Sequence, residues 1–101
     1  MQKEFKKIEK LRIKIDVIDR ELVKLLNQRA IHANQIGDIK RKLRLPVYVP
    51  EREEQVLENV KKSNPGPLSA EAIGRIYERI IDESRRLERE EMERKLKQNE
   101  E

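Results

Sequence analysis

IEKLRIKIDVIDRELVKLLNQRAIHANQIGDIKRKL, residues 8–43, decides the fold. Its apolar positions run Ile8, Leu11, Ile15, Ile18, Leu22 and Leu25 in alternating steps of three and four, then resume at Ala33, Ile36 and Leu43. That rhythm lays one apolar seam along one side of an α-helix, the heptad-like pattern of a helix packed lengthwise on another. It predicts a helix from about Glu4 to Leu43, roughly 60 Å long. A compact monomer of 101 residues has no surface of that length to cover it. The seam requires a second chain.

Downstream, Pro46 and Pro50 break the helical pattern, and the alternating apolar residues between Arg44 and Pro50 read as an extended connection. Pro50 suits the first turn of a second helix, with Glu51, Glu53 and Glu54 favourable at its N-terminal dipole. That helix is expected over about 50–62. Ser63-Asn64-Pro65-Gly66-Pro67 is a loop, and Ser69 reads as the N-cap of a third helix over about 69–95. Ile73, Ile76, Tyr77, Ile80 and Ile81 form its apolar face, and the charged tail from Arg89 to Glu101 reads as a solvated, fraying helix end. The fold class is all-α: one long, one short and one medium helix in a single domain, residues 1–101.

Composition agrees with the need for a partner. Charged residues make up 44% of the chain and hydrophobic ones 36%, and its aromatics are Phe5, Tyr48 and Tyr77. So little apolar mass builds a thin core in one copy. No apolar run is long enough to cross a membrane, and Met1 to Lys10 is charged rather than signal-like, so the expected location is the cytoplasm. The absence of cysteine excludes disulfides, a thiolate nucleophile and cysteine-based metal sites, and a single histidine, His32, excludes a histidine-rich one. The net charge of +4 is interleaved rather than blocked, and stacking aromatics are scarce. A small anion fits better than nucleic acid.

The informative residues are polar ones that interrupt apolar faces. The first seam passes through Arg29 and Lys40: Leu25, Arg29, Ala33, Ile36, Lys40, Leu43. On the second helix Glu53 precedes Val56, Leu57 and Val60 at offsets of three, four and seven. On the third, Ser84 and Glu88 fall on the apolar stripe. A buried charge without a partner costs several kcal/mol, so these groups must meet each other, water or a ligand. Each alone has an ordinary explanation: a snorkelling cation, a register-setting polar residue, a dipole partner, a hydroxyl bonded to its own helix. Two cations, two carboxylates and a hydroxyl together describe a polar pocket inside a helical bundle. Arg12 flanks the same seam about 25 Å from Arg29 along the helix. The two can clamp one small anion only if an antiparallel partner brings its own Arg12 across.

The stretches LRIKIDVID (Leu11 to Asp19), LLNQRAIHANQIGDIK (Leu25 to Lys40), PVYVPEREE (Pro46 to Glu54) and IIDESRRLE (Ile80 to Glu88) together resemble the all-helical chorismate mutase family. The resemblance implies an intertwined homodimer of three-helix chains with two shared active sites and no cofactor, converting chorismate to prephenate. Arg29, Lys40, Arg52, Glu53, Ser84 and Glu88 match family site positions, and Arg12 matches the position that the partner chain contributes. By that resemblance Arg12 and Arg29 grip the substrate carboxylates, and Lys40 reaches a carboxylate and the ether oxygen. Glu53 holds the ring hydroxyl, while Arg52 and Ser84 support the ring-carboxylate end. Val49 stands where many bacterial members carry aspartate, and Glu88 where many carry glutamine.

These residue types suit that chemistry. Chorismate is a dianion and its rearrangement is unimolecular, so the protein must hold the reactive conformer and stabilise charge growing on the ether oxygen. Lys40 and a donor at position 88 fit the second task, and bidentate arginines fit the first. An isochorismate-pyruvate lyase would use nearly the same cage. A non-catalytic regulatory or dimerisation module, or a basic nucleic-acid binder, is the reading from another class.

Overall fold

The computed structural model describes residues 1–100; Glu101, the last residue of the expected charged tail, lies outside the described residues. Among them the structure is all-helical: α1 spans Gln2–Lys42, α2 spans Pro50–Ser63 and α3 spans Ala70–Glu100. The chain divides into two units, Met1–Ile31 and His32–Glu101.

The first unit is α1 alone, and its seam is bare. Ile8, Leu11, Ile15, Ile18, Leu22 and Leu25 are each between 45% and 57% exposed. Burying such a side chain from full exposure contributes about 1.5–3 kcal/mol, and covering the half that is still open contributes about half of that. Six of them represent roughly 5–9 kcal/mol, comparable with the net stability of a small domain.

The second unit contains the end of α1, all of α2 and α3. Backbone hydrogen bonds bring α1 to a stop before the first proline of the connection. Leu45 donates to the Lys40 carbonyl at 2.8 Å and Arg44 to the Arg41 carbonyl at 3.2 Å. This is the paired pattern of a Schellman motif, whose pivot residue takes a left-handed backbone. The pivot is Arg44, with φ of 57°, where glycine is the usual occupant because a Cβ is strained there. Arg44→Gly is therefore expected to stabilise the fold by about 1 kcal/mol, seen as a melting temperature a few degrees higher. An unchanged or lower melting temperature would contradict the assigned strain.

α2 begins at Pro50, whose ring supplies the fixed φ of a first helical residue; the preceding Val49 is extended, at φ −130° and ψ 98°. The following loop is held by Asn64, whose Nδ2 donates to the Leu68 carbonyl at 2.6 Å and whose Oδ1 accepts from the Gly66 amide at 3.1 Å. Gly66 has φ of 78°, and the Gly66–Pro67 bond is cis. Ser69 caps α3 as expected: its Oγ accepts from the Ala72 amide at 3.1 Å.

α2 packs antiparallel on α3. Glu53, early in α2, is bonded to Arg85, late in α3, while Lys61, late in α2, crosses Gly74, early in α3. A Cβ at Gly74 would stand 2.9 Å from the Lys61 Cε, so the missing side chain makes room for that crossing. Val56, Leu57 and Val60 on α2 and Ile73, Tyr77, Ile80 and Ile81 on α3 are half-buried. α3 runs to Glu100 rather than stopping near residue 95. Its second half is rich in strong helix formers and carries ion pairs at helical spacing, Arg86 with Glu90 at 3.2 Å and Arg94 with Glu91.

Candidate active site

Four of the sequence-predicted residues lie in the His32–Glu101 unit on core-facing positions of its three helical segments. Lys40 is on the last full turn of α1, Glu53 on the first turns of α2, and Ser84 and Glu88 one turn apart on α3; all four are half-buried. The α1 termination described above fixes the Lys40 backbone, and the extended connection passes back over its side chain. Its Nζ donates to the Val47 carbonyl at 3.4 Å. That bond is long and therefore weak, so the ammonium is easily redirected to a stronger acceptor.

Glu53 does not stand alone on its apolar face. Its Oε1 accepts from the Arg85 Nε at 2.7 Å and also from Nη2. The same guanidinium sits over the Tyr48 ring, 4.7 Å from its centroid. Hydrogen bonding to Glu53 raises the Arg85 pKa above its ordinary value against the opposing effect of burial. Glu53, Arg85 and Tyr48 thus tie α2, α3 and the connection together at one point. Sequence reasoning placed Glu53 there but missed both partners. Arg85 falls just beside the α3 stripe, four residues after Ile81, a position that reads as solvated until the fold supplies the carboxylate.

Glu88 is the second carboxylate, and its setting differs. Burial pushes its carboxyl above the usual glutamate range; the charges of Arg41 and Lys40 oppose that rise, Asp38 adds to it and Arg85 opposes it. Desolvation wins. The direction of this balance was not readable from the residues alone, because Lys40 and the arginines argue one way and burial the other. Gly37, one turn before Arg41 on α1, is buried beside this carboxyl: a Cβ there would stand 3.5 Å from the Glu88 Cδ.

The remaining candidates are placed elsewhere. Arg52 is exposed and its Nη1 donates to Gln55 Oε1 at 2.7 Å along its own helix. Arg12 and Arg29 belong to the Met1–Ile31 unit. Arg12 is exposed and paired with Glu9 at 3.0 Å, an i,i+3 surface bridge worth little. Arg29 is half-buried. Among the described residues no group of three or more His, Cys, Asp or Glu is placed to hold a metal ion, and no helix is long and apolar enough to cross a membrane.

The model of the family described as chorismate mutase type II matches residues 11–89. The chain is 42% identical over 86 residues to the bifunctional chorismate mutase/prephenate dehydratase of Aquifex aeolicus, a match covering 81% of this chain and 24% of that protein. It thus spans about a quarter of the length of that relative. It is also 30% identical over 94 residues to the chorismate mutase of Methanocaldococcus jannaschii, covering 92% of this chain and 95% of that one. Among solved structures it resembles chorismate mutase (form II) from Thermus thermophilus, with a TM-score of 0.80 and 36% identity over 82% of this chain and 94% of that chain. A three-helix chain with core-facing Lys40, Glu53, Ser84 and Glu88, matched over most of its length in sequence and in fold, belongs to the chorismate mutase type II family.

Proposed function

We propose that the chain converts chorismate to prephenate, in a homodimer with two composite sites and without a cofactor. The observation that carries this reading is the extent of the family match. Residues 11–89 enclose every candidate, from Arg12 to Glu88. The bare seam of the first unit supports the dimer, since a second chain of the same pattern offers a cover of that length.

In this reading Arg29 and Arg12 of the partner subunit hold the two carboxylates of the substrate and keep its enolpyruvyl arm folded over the ring. Restriction to that conformer removes entropy from the barrier before the bond changes begin. Glu53, oriented by Arg85, accepts from the ring hydroxyl, while Ser84 and Arg52 support the ring-carboxylate end. As the C–O bond breaks and the new C–C bond forms, negative charge grows on the ether oxygen. Lys40 and the protonated Glu88 carboxyl donate hydrogen bonds to it. No proton needs to be transferred and no covalent intermediate forms.

The direct test is incubation of the purified chain with chorismate, following its loss optically and identifying the product. Prephenate is the expected product. No turnover, or release of pyruvate from isochorismate instead, would overturn the assignment.

The composite site gives a separate prediction. An Arg12→Ala chain and a Lys40→Ala chain are each expected to be nearly inactive. Co-refolded heterodimers recover activity, because one of their two sites regains every intact group. Verified heterodimers without recovered activity would exclude a shared site.

A further inference from the structure

The charges around Glu88 are connected in a way that the reaction itself does not require. Asp38, on α1, takes two cations on one oxygen: the Lys95 Nζ donates to its Oδ1 at 3.1 Å, and the Arg41 Nη2 donates to the same atom. Hydrogen bonding from Lys95 and then from Arg41 holds the Asp38 carboxyl below its usual range, so it stays ionised. The other face of the Arg41 guanidinium borders Gly37. A Cβ at Gly37 would stand 3.5 Å from Arg41 Nη1, 3.5 Å from the Glu88 Cδ and 3.6 Å from its Oε2. Arg41 and Glu88 therefore flank one bare stretch of α1, yet the guanidinium is bonded to Asp38.

We propose that Asp38 and Arg41 are positioning residues for Glu88: Asp38 draws the Arg41 guanidinium aside and so keeps the Glu88 carboxyl available as a hydrogen-bond donor. A carboxyl paired directly with arginine ionises more readily, typically by about one to three pH units, and an ionised carboxylate donates nothing. Lys95 anchors this arrangement from the part of α3 that lies beyond the matched family segment, residues 11–89. The remaining charges near Glu88 are already assigned. Lys40 lies on α1, Arg85 on α3 is held by Glu53 of α2, and Glu91, the next acid on the same side of α3, is engaged by Arg94. Arg41 is the cation whose direction Asp38 decides.

The catalytic meaning of this device rests on the chorismate reading; its electrostatics do not. The test therefore has two readouts. Carbon-13 NMR of the side-chain carboxyls of the full chain, with the Glu88 signal assigned through Glu88→Gln, gives its titration midpoint without substrate. Asp38→Asn is expected to lower that midpoint by about one pH unit and Arg41→Gln to raise it. In the double variant the Asn substitution should lower the midpoint by clearly less than it does alone, because only the direct loss of the Asp38 charge remains once Arg41 is gone. Both positions are partly exposed, so neutralising them leaves the fold intact. Midpoints that do not move, or an Asn effect of the same size with and without Arg41, would overturn the proposal. The second readout is turnover of chorismate against pH, whose falling limb should move with the midpoint. A parent chain with no turnover at any pH but with midpoints that shift as stated would refute the proposed function and leave the positioning role standing.

Discussion

Lys40→Ala is expected to lower kcat by at least the order of 10²–10³ that removal of one preorganised oxyanion donor costs, while KM changes less. The substituted group is a full charge rather than a neutral dipole, and it sits half-buried at the end of α1, where water screens it incompletely. Its present bond to the Val47 carbonyl, at 3.4 Å, is too long to contribute much to stability. The α1 termination uses the Lys40 carbonyl and not its side chain. Alanine, a better helix former than lysine, leaves that motif whole. The helical circular-dichroism signal, the oligomeric state measured by sedimentation and the melting temperature should therefore stay near those of the parent. Activity and stability are separable at this position, so a folded variant with near-normal turnover would remove Lys40 from the reaction. Lys40→Arg is expected to recover only part of the rate, because a planar fork does not reproduce a point charge.

What was legible in the sequence, and what was not, follows from how local each signal is. The seam from Ile8 to Leu43 is a periodic feature of one helix, and it predicts α1 almost to its ends. The Ser69 cap and the Pro50 start are read from single residues because those residues act on the backbone beside them. The Arg44 pivot was missed because nothing in an arginine signals a left-handed backbone; the hydrogen bonds of the termination impose it. α3 continues to Glu100, past the expected end near residue 95, because a charged, fraying helix end carries no stop signal such as glycine or proline to fix its last residue. Its i,i+3 and i,i+4 ion pairs favour helix.

The site divides in the same way. Polar residues on apolar stripes single out Lys40, Glu53, Ser84 and Glu88 as candidates, and all four are half-buried in the His32–Glu101 unit. The long-range pairings around them are hidden: Arg85 meets Glu53 across 32 positions, and Lys95 meets Asp38, near Lys40 on α1, across 57. No spacing rule spans such separations. Arg52 illustrates the converse: it is recognisable by resemblance, yet its side chain runs along α2 to Gln55.

Glu88→Gln is expected to change how activity depends on pH, by roughly tenfold for each pH unit above the Glu88 midpoint, since in the proposed mechanism only the protonated fraction of the parent is active. The sign follows from the structure. Burial raises the Glu88 pKa, and the cations Arg41, Lys40 and Arg85 reduce that rise without cancelling it. A bound dianion adds negative charge nearby and favours the protonated acid further. The active, proton-bearing form is therefore complete at low pH and is lost as pH rises through the elevated midpoint. Glutamine donates from its amide at every pH, so the variant should match the parent at low pH and exceed it at high pH. The unliganded protein offers an independent check. A carboxyl whose folded pKa lies above its unfolded value makes the native state bind more protons, so its contribution to stability is present below the unfolded pKa and lost as pH rises through the folded one. The stability advantage of Glu88→Gln over the parent should accordingly grow with pH across that window. The deciding measurement is kcat against pH for both chains. A parent without a falling limb, or a glutamine variant that keeps it, would show that the donor to the ether oxygen is not Glu88.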